Sequence, residues 1–321
     1  MRRAIKILSG SSHNEFALEV CQIMGLELCK SRTIKFSNDN MMPRIEENVR
    51  ETDVFVIQTS TPPVSDNIIE LLLMLDALKY ASAGRITAVL PYFPYVRSDK
   101  KDQPRISIAA RLMGHLIETA GASRLLTMNL HASQIQGFFD IPSDQLFATN
   151  IICQYFSQRD LSNYVIVAAD VGESKHIGHY ANILNLPIAI IDKRRQGNSD
   201  SIIPTTLIGD VVKKDCLIVD DEVSSGGTLT GATKFLMKNG AKSVSAAIVH
   251  GVLSGQAMAK IEASPLKELV ITNSVPLPKQ GYISPKIKVL SIAPLFAQAI
   301  SHIHSGMSVS LLFAKDYVHQ E

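Results

Sequence analysis

At residues 219–229 the chain reads VDDEVSSGGTL: two adjacent carboxylates close an apolar run, and a Ser-Ser-Gly-Gly-Thr turn follows two residues later. Each residue type has a chemical use at that spacing. Gly226 and Gly227 let backbone amides approach an anion closely, while Ser224, Ser225 and Thr228 offer hydroxyl donors. Asp220 and Asp221 would repel a phosphate lying directly on them, so they suit hydrogen bonds from sugar hydroxyls. The stretch reads as a cradle for a sugar phosphate. A Gly-rich turn beside two solvated carboxylates is a common alternative, but an acidic pair, two residues and then S-S-G-G-T is much more specific than a lone Gly-Gly.

The flanking residues explain how such a cradle would be held. Residues 217–219 form a short apolar strand, and Leu229, Ala232, Phe235 and Leu236 mark one helix face that ends at Asn239-Gly240. The loop therefore joins the carboxyl end of a strand to a helix N-terminus, where open α/β sheets bind ligands and where free amides favour a phosphate. Similar short β-branched runs occur at 4–8, 54–58, 86–90, 125–128, 165–168, 188–191 and 244–249. Amphipathic stretches lie between them, including 66–83, with Asp66 as its expected N-cap, and 107–122. The rhythm is βαβ, and runs apolar on nearly every residue suit parallel strands buried on both faces. It pauses between about 147 and 162, which divides the chain into two similar α/β domains, 1–150 and 151–321, each a parallel sheet of about four strands flanked by helices.

Composition narrows the function classes. Hydrophobic content of 46% and charged content of 19% describe a globular chain long enough for two cores, and a net charge of +2 points to neither nucleic acid nor membrane as partner. Cysteines at 21, 29, 153 and 216 lack the spacing of a disulfide framework or a zinc site. Only about five apolar residues follow the two N-terminal arginines, short of a signal-peptide core, and no apolar run reaches the ~18 residues of a membrane span. A cytoplasmic protein is expected.

With these residues in view, the acidic pair and its loop resemble the phosphoribosyl-pyrophosphate loop of type I phosphoribosyltransferases and, far more closely, that of the ribose-phosphate pyrophosphokinase family. The resemblance spans nearly the whole chain: IKILSGSSH (5–13), KFSND (35–39), FPYVRSDKKD (93–102), NLHASQIQGFFDIP (129–142) and VHGVLSG (249–255) keep that family's order and spacing. It implies a type I phosphoribosyltransferase-like fold and transfer of the diphosphoryl group of ATP to the anomeric hydroxyl of ribose 5-phosphate, with Mg2+, giving AMP. It also implies a site between the two domains, and a homo-oligomer, a hexamer often built through bent dimers.

The same resemblance assigns roles residue by residue. Asn38, Asp39 and Asn40 match an adenine-binding segment contributed by a neighbouring subunit, with Asn40 in place of the usual glutamate. Arg97 and Ser98 match the pair that contacts the nucleotide, Ser98 replacing a longer glutamine; Lys100, Lys101 and Arg105 extend a basic stretch that would otherwise read as a solvated loop. His131 and Asp170 match the magnesium-associated pair, although a histidine is not a typical ligand for so hard a cation. Asn129 stands where a carboxylate is common, and Glu173 where the family has a glycine. Lys193 and Arg195 match the lysine and arginine of a catalytic mobile loop, where positive charge meets oxygens that gain negative charge. Asp220 and Asp221 then hold the ribose hydroxyls, and 224–228 the 5-phosphate. The substitutions at Ser98, Asn129 and Glu173 leave open a diphosphotransferase for another sugar phosphate, and a non-catalytic regulatory relative is the third reading.

Overall fold

The computed structural model describes residues 3–170, 174–195, 202–278 and 282–312; of 174–176, 193–195 and 202–205 it describes the backbone alone. The chain forms two compact units, one containing the residues up to Phe147, Ser274–Pro276 and the segment from Ile292 onward, the other Ala148–Asn273 and Leu277–Ser291.

The first unit runs β1 (Ile5–Ser9), α1 (Asn14–Met24), β2 (Ser31–Lys35), β3 (Met41–Ile45), β4 (Asp53–Ile57), α2 (Val64–Tyr80), β5 (Arg85–Leu90), α3 (Ala109–Ala120), β6 (Arg124–Met128) and β7 (Ser143–Leu146). Its main sheet is parallel, in the order β1-β4-β5-β6-β7, so the chain steps across it in one direction. The two-stranded β2-β3 hairpin stands apart from that sheet. Val54, Val56, Ala88 and Leu125 on the sheet pack with Leu71, Met74 and Leu78 of α2, each of the larger side chains contributing ~1.5–3 kcal/mol by leaving water. Asp66, expected as the cap of α2, lies inside its first turn, because the helix already starts at Val64 and Pro63 takes the cap position. The Asp66 carboxylate accepts instead from Lys35 Nζ at 3.1 Å.

The second unit runs α4 (Thr149–Phe156), β8 (Tyr164–Ala168), α5 (Ser174–Leu184), β9 (Ile188–Arg195), β10 (Ile202–Ile208), β11 (Asp215–Val223), α6 (Gly227–Lys238), β12 (Ser243–Gly251), α7 (Ala257–Ala263), β13 (Glu268–Thr272) and β14 (Ile287–Leu290). Its sheet has the order β10-β9-β8-β11-β12-β13-β14, parallel except for the edge strand β10. From β8 the chain moves outward to β9 and β10, then returns to lay β11 on the other side of β8. The strand order thus reverses between β8 and β11, the kind of point where open α/β sheets form a ligand crevice. Gly240, with φ +88, ends α6 as expected for a C-terminal glycine.

The helix α8 (Ala293–Ser305) belongs to the first unit, whereas a division at 150/151 would assign it to the second. Two contacts give the reason. Phe296 meets Phe16 of α1 edge to face, with centroids 5.4 Å apart. Asp53, almost fully buried at the start of β4, accepts from Arg85 Nε at 2.7 Å and lies 2.8 Å from His304 Nδ1, while Arg85 Nη2 donates to the carbonyl of Ile303 at 2.9 Å.

Candidate functional site

In the second unit the candidate residues collect at one edge of one sheet. Ala168 of β8 pairs in register with Val219 of β11 and with Ile190 of β9. Asp170 therefore follows the end of β8 by two residues, close in register to Asp220 and Asp221, and these carboxylates flank the reversal of strand order. Lys193 and Arg195 lie three and five residues beyond Ile190 on the neighbouring strand. Their backbone pairs with Pro204 and Ile202 of β10, so strand structure runs on to Arg195 where the sequence suggested that a loop begins at about 192. Their side chains lie outside the described residues, as does Glu173.

β11 is also longer than the three-residue apolar run from which it was read. It extends through Val223, so Asp220 and Asp221 are strand residues, both half-buried, and Asp221 N donates to Asp220 Oδ1 at 2.8 Å. The turn 224–228 then opens α6. Gly226 sits at its N-cap with φ +73, a conformation that suits glycine, and Ser225, Gly227 and Thr228 are exposed. A helix start with exposed donors favours an anion. Ser224 differs from its neighbours: it is half-buried, and its Oγ is 2.9 Å from Ser254 Oγ.

The first-unit candidates also follow strand ends. Asn129 comes directly after β6, with φ +39 and its amide donating to Leu146 O at 3.0 Å. An asparagine adopts that left-handed geometry more readily than most residues. His131, two residues on, is half-buried. Arg97 is exposed and Ser98 half-buried, in a turn where Ser98 N donates to Tyr95 O at 2.9 Å. Asn38, Asp39 and Asn40 are exposed at the tip of the β2-β3 hairpin. There Asn38 Oδ1 accepts from Asn40 N at 3.2 Å, and Asp39 pairs with Lys35 at 3.2 Å. His131 belongs to the first unit and Asp170 to the second.

The loop after β1 is built from similar residues but is filled from within. Ser11 donates to Glu70 through both N, at 2.8 Å, and Oγ, at 2.6 Å; Gln58 Nε2 donates to the same carboxylate at 2.8 Å, and Thr33 Oγ1 joins them. Ser12 N donates to Gln58 Oε1 at 3.0 Å. Glu70, 2% exposed, occupies the place an external anion would need.

Among the described residues no group of three or more His, Cys, Asp or Glu side chains could hold a metal ion. Magnesium bound largely through nucleotide phosphates and water, with one or two protein donors, needs no such group, and the Asp170 carboxylate is a donor of the right hardness. No helix among the described residues is long and apolar enough to cross a membrane. All four cysteines are buried thiols; burial pushes Cys21 and Cys29 up to about 11 and Cys216 up to about 12, which keeps them protonated and unreactive.

The VHGVLSG segment (249–255) has no role assigned by its residue types alone. The structure puts that segment against the 224–228 turn: Leu253 N donates to Val223 O at 3.1 Å and Ser254 N to Ser224 O at 3.0 Å. A hydroxyl and a glycine directly after a buried strand were the available signal.

Residues 5–121 match the N-terminal domain of ribose phosphate pyrophosphokinase, and 198–314 match the phosphoribosyl synthetase-associated domain. The chain is 48% identical to a ribose-phosphate pyrophosphokinase of Clostridium acetobutylicum, over 97% of this chain and 98% of that protein. It is 46% identical to one of Deinococcus radiodurans, with the same coverage of 97% and 98%. The crystal structure of phosphoribosylpyrophosphate synthetase from Mycobacterium smegmatis superposes with a TM-score of 0.89 at 36% identity, covering 95% of this chain and all of that one. The fold is the type I phosphoribosyltransferase-like one, two α/β units each built on a mainly parallel sheet. Identity at this level along almost the full length of both proteins makes the chain a member of the ribose-phosphate pyrophosphokinase family.

Proposed function

We infer that the reversal of strand order between β8 and β11, with two carboxylates and an exposed phosphate-type loop at its edge, is where the chain carries out its family's reaction. The chain transfers the diphosphoryl group of ATP to ribose 5-phosphate. The bond that forms joins the anomeric oxygen of the sugar to the β-phosphorus; the bond that breaks joins that phosphorus to the oxygen bridging it to the α-phosphate, and AMP leaves. The observation that carries the site assignment is the turn itself, with Ser225, Gly227 and Thr228 exposed at the start of α6 directly after Asp220 and Asp221. In this reading the turn binds the 5-phosphate through hydroxyls and helix-start amides, and the two aspartates accept from ribose hydroxyls, which orients the anomeric oxygen.

Lys193 and Arg195 supply charge to phosphoryl oxygens as the transition state forms. Asn38, Asp39 and Asn40 with Arg97 and Ser98 bind the nucleotide, Arg97 through phosphate or stacking. Asp170 would hold magnesium through a carboxylate oxygen, and His131 is the other residue proposed for it; the ion would supply charge neutralisation for the phosphates. The N-terminal domain thus serves the nucleotide and the C-terminal domain the sugar phosphate. The exposed hairpin tip serves a neighbouring copy, so the working form is a homo-oligomer, a hexamer assembled from dimers. The test is product analysis with ATP, Mg2+ and a panel of sugar phosphates. AMP formed in step with ribose 5-phosphate is expected. ADP as the product, or AMP with a different sugar phosphate only, would overturn the assignment.

A further inference from the structure

We propose that Ser254, backed by Lys260, is a positioning residue for the sugar-phosphate turn: it orients the Ser224 hydroxyl so that this group donates to the 5-phosphate. The proposal rests on reading 224–228 as the turn that holds that phosphate.

The segment after β12 continues the ladder beyond the strand ends. Leu253 N donates to Val223 O at 3.1 Å and Ser254 N to Ser224 O at 3.0 Å, so the two serines are held side by side with their Oγ atoms 2.9 Å apart. Leu253 has φ +48, a left-handed geometry that a leucine rarely adopts. Such strain persists where the surroundings over-determine it. Here the Leu253 side chain is 4% exposed in the core of the second unit and its amide is bonded to β11. The strained residue is the one that brings Ser254 opposite Ser224. Farther along, Ala257 packs against Gly226, where an added Cβ would lie 3.5 Å from the Ala257 Cα, and Lys260 Nζ donates to Ser225 O at 3.3 Å.

The hydroxyl chemistry follows from counting protons. A phosphate dianion only accepts, and a serine hydroxyl has one proton to give. If Ser224 donates to Ser254, it has only lone pairs left to present to an anion. If Ser254 donates to Ser224, the Ser224 proton can go to the phosphate, and the two bonds polarise one another. A bound phosphate selects the second arrangement, in which Ser254 is the donor and fixes the direction of the Ser224 hydroxyl. Lys260 acts in the same direction: its ammonium on the Ser225 carbonyl polarises the peptide whose N–H belongs to Gly226, and it adds positive charge behind the turn.

The test is steady-state kinetics of the full enzyme with ATP and ribose 5-phosphate, together with thermal melting. Ser254→Ala is expected to raise KM for ribose 5-phosphate about tenfold, the scale of a lost hydrogen bond that serves a charged group. KM for ATP and Tm stay as in the wild type, and Ser254→Thr restores the sugar-phosphate KM. Lys260→Gln raises the same KM about threefold, less at high salt. Thr228→Val is the control for the turn itself. If Thr228→Val raises KM for ribose 5-phosphate and Ser254→Ala does not, the positioning role is wrong and the phosphate turn stands. If neither raises it, the phosphate turn is wrong and the positioning role falls with it. If Ser254→Ala lowers Tm and shifts both KM values alike, Ser254 merely supports the fold and the proposal is overturned.

Discussion

The two units contain the same device, a Ser/Gly-containing turn between the carboxyl end of a parallel strand and a helix, and leave it in opposite states. After β1, in a sheet crossed in one direction, the turn's amides and hydroxyls are bonded to the buried Glu70 and Gln58. After β11, beside a reversal of strand order, Ser225, Gly227 and Thr228 face outward, and among the described residues no side chain accepts from their amides. A Gly-Ser turn at a strand end therefore does not make an anion site by itself. What decides is whether the protein's own carboxylate already fills it and whether neighbouring strands leave a crevice there.

The largest expected effect lies on the reversed sheet. Replacing Lys193 or Arg195 by Ala should lower kcat by about 10²–10³, the usual scale for removing one preorganised charge from a developing anion, while ATP binding followed by calorimetry changes little. The double variant should lose less than the product of the two. Severe loss of ATP affinity with kcat intact would make these residues ground-state anchors.

A smaller effect sharpens the contrast from the filled turn. A Cβ at Gly10 would sit 2.5 Å from the Gln58 carboxamide, which is itself held by Ser12 and Glu70. Gly10→Ala should therefore destabilise the protein by roughly 1–3 kcal/mol in denaturant unfolding. KM for ribose 5-phosphate in the folded fraction should not change; a rise would mean that the first turn takes part in sugar binding.

Smaller again is a pH effect in the second unit. Burial alone would raise the Glu268 carboxyl, but hydrogen bonds from Arg159, at 2.8 and 3.1 Å, and from Tyr155, at 2.6 Å, hold it below its ordinary value. A carboxylate whose folded value is depressed stabilises the fold above its unfolded value, and that stability is lost as pH falls through the folded value. Glu268→Gln should be less stable than wild type by on the order of 1 kcal/mol at pH 7. The gap should start to close near pH ~4.3 and vanish below the folded value. A gap that widened toward acid would contradict the sign.

Particular residues show what could be read from sequence. The parallel strands β1, β4, β5, β6, β8, β11 and β12 announced themselves because burial on both faces leaves runs such as DVFVI and YVIVA almost wholly apolar. Other strands gave no such signal: MMPRI of β3 alternates in exposure and carries a proline and an arginine, and SDQL of β7 is polar at three of its four positions and reads as a turn. β10 could not be anticipated, since it pairs antiparallel with an extension of β9 that is basic. The α8 helix looked like part of the second half because its tie to the first, through Asp53, Arg85 and His304, joins residues more than 200 positions apart. Within the candidate site, the Ser/Gly turn between a strand end and a helix start was legible from type and spacing. The reversal of strand order, the filling of the first turn by Glu70 and the hold of Ser254 on Ser224 come from pairings that no local pattern encodes.

The most direct test of the account is calorimetric titration of ribose 5-phosphate into Gly227→Ala. A Cβ at 227 meets nothing nearer than Ser225 Oγ at 3.8 Å, and the position is the first of α6, so alanine fits the fold and leaves Tm unchanged or slightly higher. Its methyl would stand on the exposed side of the turn, where the phosphate has to meet the amide. The account predicts affinity for ribose 5-phosphate weakened about tenfold or more, the scale of losing hydrogen bonds to a charged group, with the fold intact. Unchanged affinity in a folded Gly227→Ala protein would contradict it, and the phosphate would have to be bound elsewhere.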